Sequence, residues 1–173
     1  WNAQKPVLTP DFPRMSMAEV HERYGKAHNV DMSDEGDLTP DEEKWICQYA
    51  KKQLGSEAVF ITDWSSTDKT FKFYHRKSAK NPTLADRSDL LFRGIEIATV
   101  PMRENNYDVL LQQMKDAGLD PAHEGFKYYL QAFKYGLPEH GGFGMGLERL
   151  TEKLIGLDNV KEATLFPRDI NRL

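Results

Sequence analysis

His140-Gly141-Gly142-Phe143-Gly144-Met145-Gly146-Leu147-Glu148-Arg149 sets four glycines within six residues and follows them with an acidic and a basic residue. Alternating with Phe143 and Met145, the glycines read as a strand, where glycine loses conformational entropy and has no side chain to pack. The spacing suits a flat ligand lying directly against the backbone, although a bulge or a tight packing contact would leave the same trace. Arg149 favours the ligand, because a guanidinium at a helix start can stack on an aromatic base and pair with phosphate oxygens. Its alternative is a surface salt bridge. The helix that follows carries Leu150 and Leu154 and closes at Gly156.

Working upstream, Phe126, Tyr129, Leu130 and Phe133 recur at helical spacing before Gly136, and Tyr107, Leu110, Leu111 and Met114 do so between an Asn105 or Asn106 cap and Gly118. These aromatics read as core. Leu90 to Thr99 reads as one strand, with Leu91, Arg93, Ile95, Ile97 and Thr99 on one face and Phe92, Gly94, Glu96 and Ala98 on the other. Glu96 therefore has small neighbours and room beside it. Ala58 to Thr62 and Thr70 to Tyr74 are two further strand candidates.

Near the start, Ser16 with Glu19 three residues on predicts an N-cap and a short helix to about Tyr24. Thr39-Pro40-Asp41-Glu42 predicts a capping box opening a helix that carries Trp45, Ile46 and Tyr49 on one side and stops at Gly55. Residues 1–13 read as extended chain and 28–38 as a loop. The order α, α, β, β, β, α, α, β, α clusters its strands, which predicts an α+β fold with an antiparallel sheet flanked by helices.

At 173 residues and 39% hydrophobic content the chain is long enough for one domain with a substantial core, since about 150 residues bury roughly 70% of the unfolded surface. A net charge of −4 gives no overall attraction for a polyanion, so any RNA contact needs a local patch. The basic run His75, Arg76, Lys77 and Lys80 is such a candidate, though charge runs are more often solvated loops. The remaining histidines other than His140 lack metal-like spacing and read as surface residues. Cys47, the single cysteine, reads as inert filler; with no apolar run near ~20 residues it points to the cytoplasm. The chain opens at Trp1 without an initiator Met, which raises the expectation that it is part of a longer protein.

The glycines with Glu148-Arg149 resemble the third signature motif of class II aminoacyl-tRNA synthetases. The resemblance extends through Asp37-Leu38, Val59 to Asp63, Asp89 to Ile97, Lys134 to His140 and Leu165 to Asp169, in the order seen in archaeal-type aspartyl-tRNA synthetases. It implies the C-terminal half of a synthetase catalytic domain, with residues 1–36 as a connecting segment and 37–173 as core. The first and second signature motifs and an anticodon-binding domain are not found, so the isolated chain is expected to be inactive or nearly so.

The family implies particular roles. Gly142, Gly144, Gly146 and Arg149 would bind ATP, with Arg149 holding the γ-phosphate of a bent nucleotide. Glu96 would help hold Mg²⁺, a hard cation that needs oxygen ligands, with the Thr99 hydroxyl as a further ligand; a strand ion pair is the alternative for Glu96. Arg103, seven residues after Glu96, matches the arginine that grips the substrate side chain, a planar fork suited to aspartate. His140 would lie near the substrate or cap its own turn, and Arg168 would support the site or make a surface salt bridge. Where relatives read Ser-Gly-Ala-Gln or Gly-Gly-Ser-Gln before that arginine, this chain has Thr99-Val100-Pro101-Met102, and Pro101 lacks an N–H donor.

The implied activity is ATP-dependent activation of aspartate and its transfer to tRNA by a cytoplasmic homodimer. An asparaginyl-tRNA synthetase, a related asparagine synthetase and a non-catalytic nucleotide- or partner-binding paralogue are the alternatives.

Overall fold

The computed structural model describes residues 3–32 and 36–168. Its first elements follow from local chemistry. After strand β1 (Arg14–Ser16), Ser16 Oγ accepts the Glu19 N–H at 3.2 Å and opens helix α1 (Met17–His28). This helix runs past Gly25 and ends at Asn29, which takes the left-handed conformation at φ 55°. Gly25 is there for space: a Cβ on it would stand 2.8 Å from the Val30 carbonyl oxygen as the chain turns back. Thr39 and Glu42 form the expected reciprocal capping box at the start of α2 (Pro40–Tyr49). A wider turn over Ala50–Leu54 continues it to Gly55 at φ 71°.

The remaining elements are β2 (Ala58–Thr62), a small hairpin of β3 (Trp64–Ser65) and β4 (Leu84–Ala85), β5 (Arg87–Phe92), β6 (Ile95–Arg103), α3 (Tyr107–Asp116), α4 (Lys127–Lys134), β7 (His140–Gly141), β8 (Gly144–Met145) and α5 (Leu147–Ile155). The main sheet has the order β1-β2-β5-β6-β7, with β8 also on β6. All its pairs are antiparallel except β1 with β2. Val59, Ile61 and Leu91 pack with Val20 and Ile46 of α1 and α2, while Ala58, Leu90 and Phe92 pack with Leu150 and Leu154 of α5, so helices cover both faces. Each fully buried aliphatic side chain contributes about 1.5–3 kcal/mol. A third cluster joins α3 to α4 through Leu110, Met114, Leu130 and Phe133.

Three sequence expectations are corrected. Leu90 to Thr99 is not one strand, because Arg93 at φ 47° and Gly94 at φ 90° make a tight hairpin turn between β5 and β6. Thr70 to Tyr74 is not a strand, because Asp68 Oδ1 accepts the Thr70 N–H and hydroxyl at 2.7 and 2.6 Å and folds the segment into a turn. Nor is the glycine-rich stretch continuous: β7 pairs with Met102 and Arg103, β8 with Ala98 and Thr99, and Gly142 and Phe143 lie between.

Candidate active site

Strand β6 carries the site, and a bulge in it decides which side chains meet. Leu90 pairs with Ala98 but Leu91 with Glu96, which leaves Ile97 as an extra residue. In a regular strand Glu96 and Thr99 would lie on opposite faces, as alternation predicts; the bulge brings them to one face, where the Thr99 hydroxyl donates to Glu96 Oε1 at 2.7 Å. Across the ladder from Thr99 lies Asp89, 1% exposed and held by Arg87, which itself sits 4.2 Å over the Trp64 ring. Burial pushes the Asp89 carboxyl up, against the pull of Arg87. Glu43 of α2 accepts the Glu96 N–H at 3.3 Å; burial raises its carboxyl too, against the pull of that N–H and of Arg149, while the Glu96 charge adds to the rise.

Arg149, in the first turn of α5, donates from Nη1 to the Glu96 carbonyl at 2.9 Å. Its aliphatic stem lies along Gly146, where a Cβ would stand 3.4 Å from Cδ, and the Gly146 N–H bonds the Ile97 carbonyl at 2.9 Å. Around Gly144 a Cβ would meet nothing within 4 Å, so that backbone is open to a ligand. Gly142 has a different neighbour, since a Cβ there would stand 3.5 Å from Arg103 Nη2.

Beside the glycines is a cavity of about 560 Å³ whose wall includes Thr99, Arg103, His75, Tyr129, Gly142 and Gly144. Arg103 makes no side-chain hydrogen bond or ion pair among the described residues, so its guanidinium is available to a ligand. Strand β6 continues through Val100 and Pro101 to Arg103, and the Pro101 carbonyl accepts the Gly142 N–H at 3.2 Å.

Glu96, Thr99, Arg103, Gly142, Gly144, Gly146 and Arg149 are thus strung along β6 and its glycine-rich neighbours. His140 stands apart from the cavity wall and is bonded through Nδ1 to the Pro138 carbonyl at 3.0 Å, within its own turn. Arg168 is exposed and unpaired among the described residues, and Asp169 lies outside them. The basic run does not form one solvated patch. His75 is 2% exposed, and Arg76 is tied to Asp86 at 2.8 Å and Glu139 at 3.2 Å; only Lys77 and Lys80 are exposed. His21, also expected at the surface, has a mostly buried side chain 3.6 Å from the fully buried Glu42.

Sequence reasoning missed His75 and Asp89, and it assigned Phe126 and Tyr129 to the core alone. Both aromatics pack against the α3–α4 cluster and also line the cavity. Among the described residues no three His, Cys, Asp or Glu side chains are grouped to hold a metal by themselves. Mg²⁺ is commonly held by one or two carboxylates together with substrate phosphates, and Glu96 with the Thr99 hydroxyl fits that donor set.

The family model of tRNA synthetases class II (D, K and N) matches residues 2–170. The aspartate–tRNA(Asp/Asn) ligase of Thermus thermophilus is 40% identical over 172 residues, covering 97% of this chain and 38% of that protein. The aspartate–tRNA(Asp) ligase of Pyrococcus furiosus is 41% identical over 169 residues, covering 94% of this chain and 36% of the relative. Among solved structures, an aspartyl tRNA synthetase from Entamoeba histolytica superposes with a TM-score of 0.86 at 27% identity, covering 98% of this chain and 34% of that one. An asparaginyl-tRNA synthetase from Pyrococcus horikoshii does so at 0.82 and 31% identity, covering 95% and 37%. The chain therefore spans a little over a third of the length of these relatives, and it belongs to the class II tRNA synthetases of the aspartate, lysine and asparagine group.

Proposed function

We propose that this chain is the part of an aspartate–tRNA ligase catalytic domain that receives ATP and the amino acid, with residues 37–173 as its core and 1–36 as a connecting segment. In the whole enzyme the aspartate α-carboxylate attacks the α-phosphorus of ATP, pyrophosphate leaves, and the aspartyl group passes from AMP to tRNA. Such chemistry is positional and electrostatic, since the protein aligns two anions and stabilises the charge between them.

The roles are those the family resemblance implies, and the placement of these residues supports them. Gly144 leaves backbone open to the adenine, with Gly142 and Gly146 on either side of it packed against Arg103 and Arg149, and Arg149 holds the terminal phosphate. Glu96 and Thr99 would hold Mg²⁺ together with the phosphates, and the ion would supply charge neutralisation at the leaving pyrophosphate. Arg103 takes the side-chain carboxylate of aspartate. His140, bonded within its turn, would act at most from the rim. The tRNA, a homodimeric assembly and a cytoplasmic setting belong to the same reading of the full-length protein; for this chain, no helix among the described residues is long and apolar enough to cross a membrane.

One observation carries the preference for aspartate. The Arg103 guanidinium lines a cavity next to the glycines without any carboxylate partner among the described residues, and an arginine in that state selects an anion. Asparagine is the second reading, favoured by the likeness to the asparaginyl enzyme of Pyrococcus horikoshii. The test is ATP–pyrophosphate exchange in a protein of the relatives' full length that contains this chain, with aspartate and asparagine compared. Exchange driven by aspartate is expected. Exchange driven by asparagine alone would select the asparaginyl or asparagine-synthetase reading, and none with either would select a non-catalytic paralogue.

A further inference from the structure

His75 entered the sequence as one member of a basic run, yet it is buried in the wall of the cavity that holds Arg103. Its ring is wedged against Phe71 and Tyr74, both edge-on, with centroids at 5.6 and 4.8 Å. The backbone is fixed as well: His75 bridges to Arg103 across the sheet margin, and its carbonyl accepts from Gln113 Nε2 at 3.0 Å. Nδ1 accepts the Lys72 N–H at 3.2 Å, so in the neutral ring the proton is on Nε2. Nε2 has no partner among the described residues and is not one of the sealed, unpaired nitrogens. Burial first, then the nearby Arg87, Lys72 and Arg103, hold the imidazole pKa down at about 4, so near neutral pH the ring carries no charge.

We propose that His75 is a specificity-determining residue of the amino-acid cavity, its Nε2–H forming with the Arg103 guanidinium a donor-only pair that accepts a side-chain carboxylate and rejects the carboxamide of equal length. The proposal rests on the reading of this cavity as the amino-acid site. A carboxylate offers two acceptor oxygens and satisfies both donors. A carboxamide offers one oxygen and one NH₂, so a donor is left facing a donor in a partly closed cavity. A site built to hydrogen-bond one group discriminates strongly against an analogue that leaves its buried donors unpaired. Arg103 supplies the charge, and His75 would supply the second donor at no cost in net charge.

The experiment is aspartate- and asparagine-dependent pyrophosphate exchange in the full-length protein, comparing wild type with His75→Gln and His75→Leu. Gln can turn an amide oxygen toward the ligand and Leu presents no polar atom. Each is expected to lower the aspartate-to-asparagine ratio of kcat/KM by roughly tenfold or more, a readout that a merely structural role would not move. An unchanged ratio in active variants overturns the proposal while leaving the reading of the cavity intact. A wild type that activates neither amino acid overturns the reading and the proposal with it. Because a buried histidine is hard to replace, ¹⁵N NMR of the wild type reads the ring directly. An Nε2-protonated neutral ring from pH 6 to 8 is expected, and an Nδ1-protonated ring or one that charges near pH 6.5 overturns the proposal whether or not the variants fold.

Discussion

Replacing Gly144 by valine separates the strand's structural needs from the ligand's. A Cβ at Gly144 meets no atom within 4 Å, and Gly144 is not among the glycines with positive φ, so the backbone accepts a side chain without strain. Glycine in a strand is less favourable than alanine by about 0.5–1 kcal/mol, and valine adds β-propensity. The variant should therefore melt at the same temperature or roughly 1–4 °C higher, at about 2–4 °C per kcal/mol for a domain of this size. The open space over Gly144 is where the adenine is proposed to lie, and two methyl groups placed there overpack it at about 1–3 kcal/mol. That corresponds to a rise of about five- to 150-fold in the KM for ATP. Gly141→Val is the contrast, because its Cβ would stand 2.8 Å from Met102 Sδ and 3.1 Å from the Pro101 carbonyl oxygen. Its melting temperature should drop. Calorimetry and pyrophosphate exchange on both variants give the comparison, and a Gly144→Val protein with an unaltered KM for ATP would refute the assignment of the open backbone to the nucleotide.

Arg149→Ala removes one exposed hydrogen bond, worth about 1 kcal/mol or less, so the melt should hardly move while pyrophosphate exchange falls by orders of magnitude; an active variant sinks the phosphate role. Glu96→Gln keeps an oxygen for the Thr99 hydroxyl but loses charge, and exchange at saturating Mg²⁺ should drop; undiminished activity would return Glu96 to an ordinary strand carboxylate. Arg103→Leu should raise the KM for aspartate roughly thirtyfold or more and that for ATP little, whereas equal rises would indicate a structural role. Glu57 gives a pH dependence: burial pushes its carboxyl up, but Lys51, Arg93 and the Val7 N–H outweigh that and hold it at about 2, below the ordinary 4.5. A depressed folded-state pKa stabilises the protein above about pH 4.5 and is lost as pH falls toward 2, so the melting temperature should fall between pH 5 and 3, and less steeply in Glu57→Gln.

What could be read in the sequence was what local chemistry settles. Ser16, Thr39 and Asn106 cap helices because their side chains reach N–H groups two or three residues on, and Gly55, Gly118 and Gly156 take the positive φ that ends or follows a helix. The β5–β6 hairpin could not be read, because Arg93 is an unusual residue for a left-handed position. It is held there from outside the hairpin: its guanidinium bonds Glu57, the Lys153 carbonyl at 2.8 Å and the Gln4 carbonyl at 3.1 Å. Alternation over Thr70 to Tyr74 lost to Asp68, which captures the backbone locally. The site was half legible for the same reason. Arg149 and its glycines announce themselves by composition, whereas the meeting of Glu96 with Thr99 depends on a bulge with no local sequence mark. For His75 there was a signal in its neighbours, since Phe71, Phe73 and Tyr74 are poor company for a solvated basic loop.

Pro101 explains why the glycine-rich edge is split. Pairs of β6 with β7 and with β8 keep one register, Met102 with Gly141 and Thr99 with Gly144, so a continuous ladder would set Pro101 opposite Gly142 and Val100 opposite Phe143. It is between these pairs that the ladder opens. In an antiparallel strand a residue's N–H and C=O point to the same side, and the Pro101 carbonyl points to Gly142. The N–H that proline lacks would have pointed to the glycines as well. The missing donor therefore falls on the glycine edge and spares the β5 edge, where Arg87 to Phe92 pair with Ile95 to Pro101 and hold the core. With the ladder open at Gly142 and Phe143, the guanidinium of Arg103 lies beside Gly142, and Phe143 is 70% exposed in the cavity wall where it would otherwise be a strand residue. A substitution that looked like a defect in the strand instead leaves the fold's interior ladder whole and opens the edge beside the cavity.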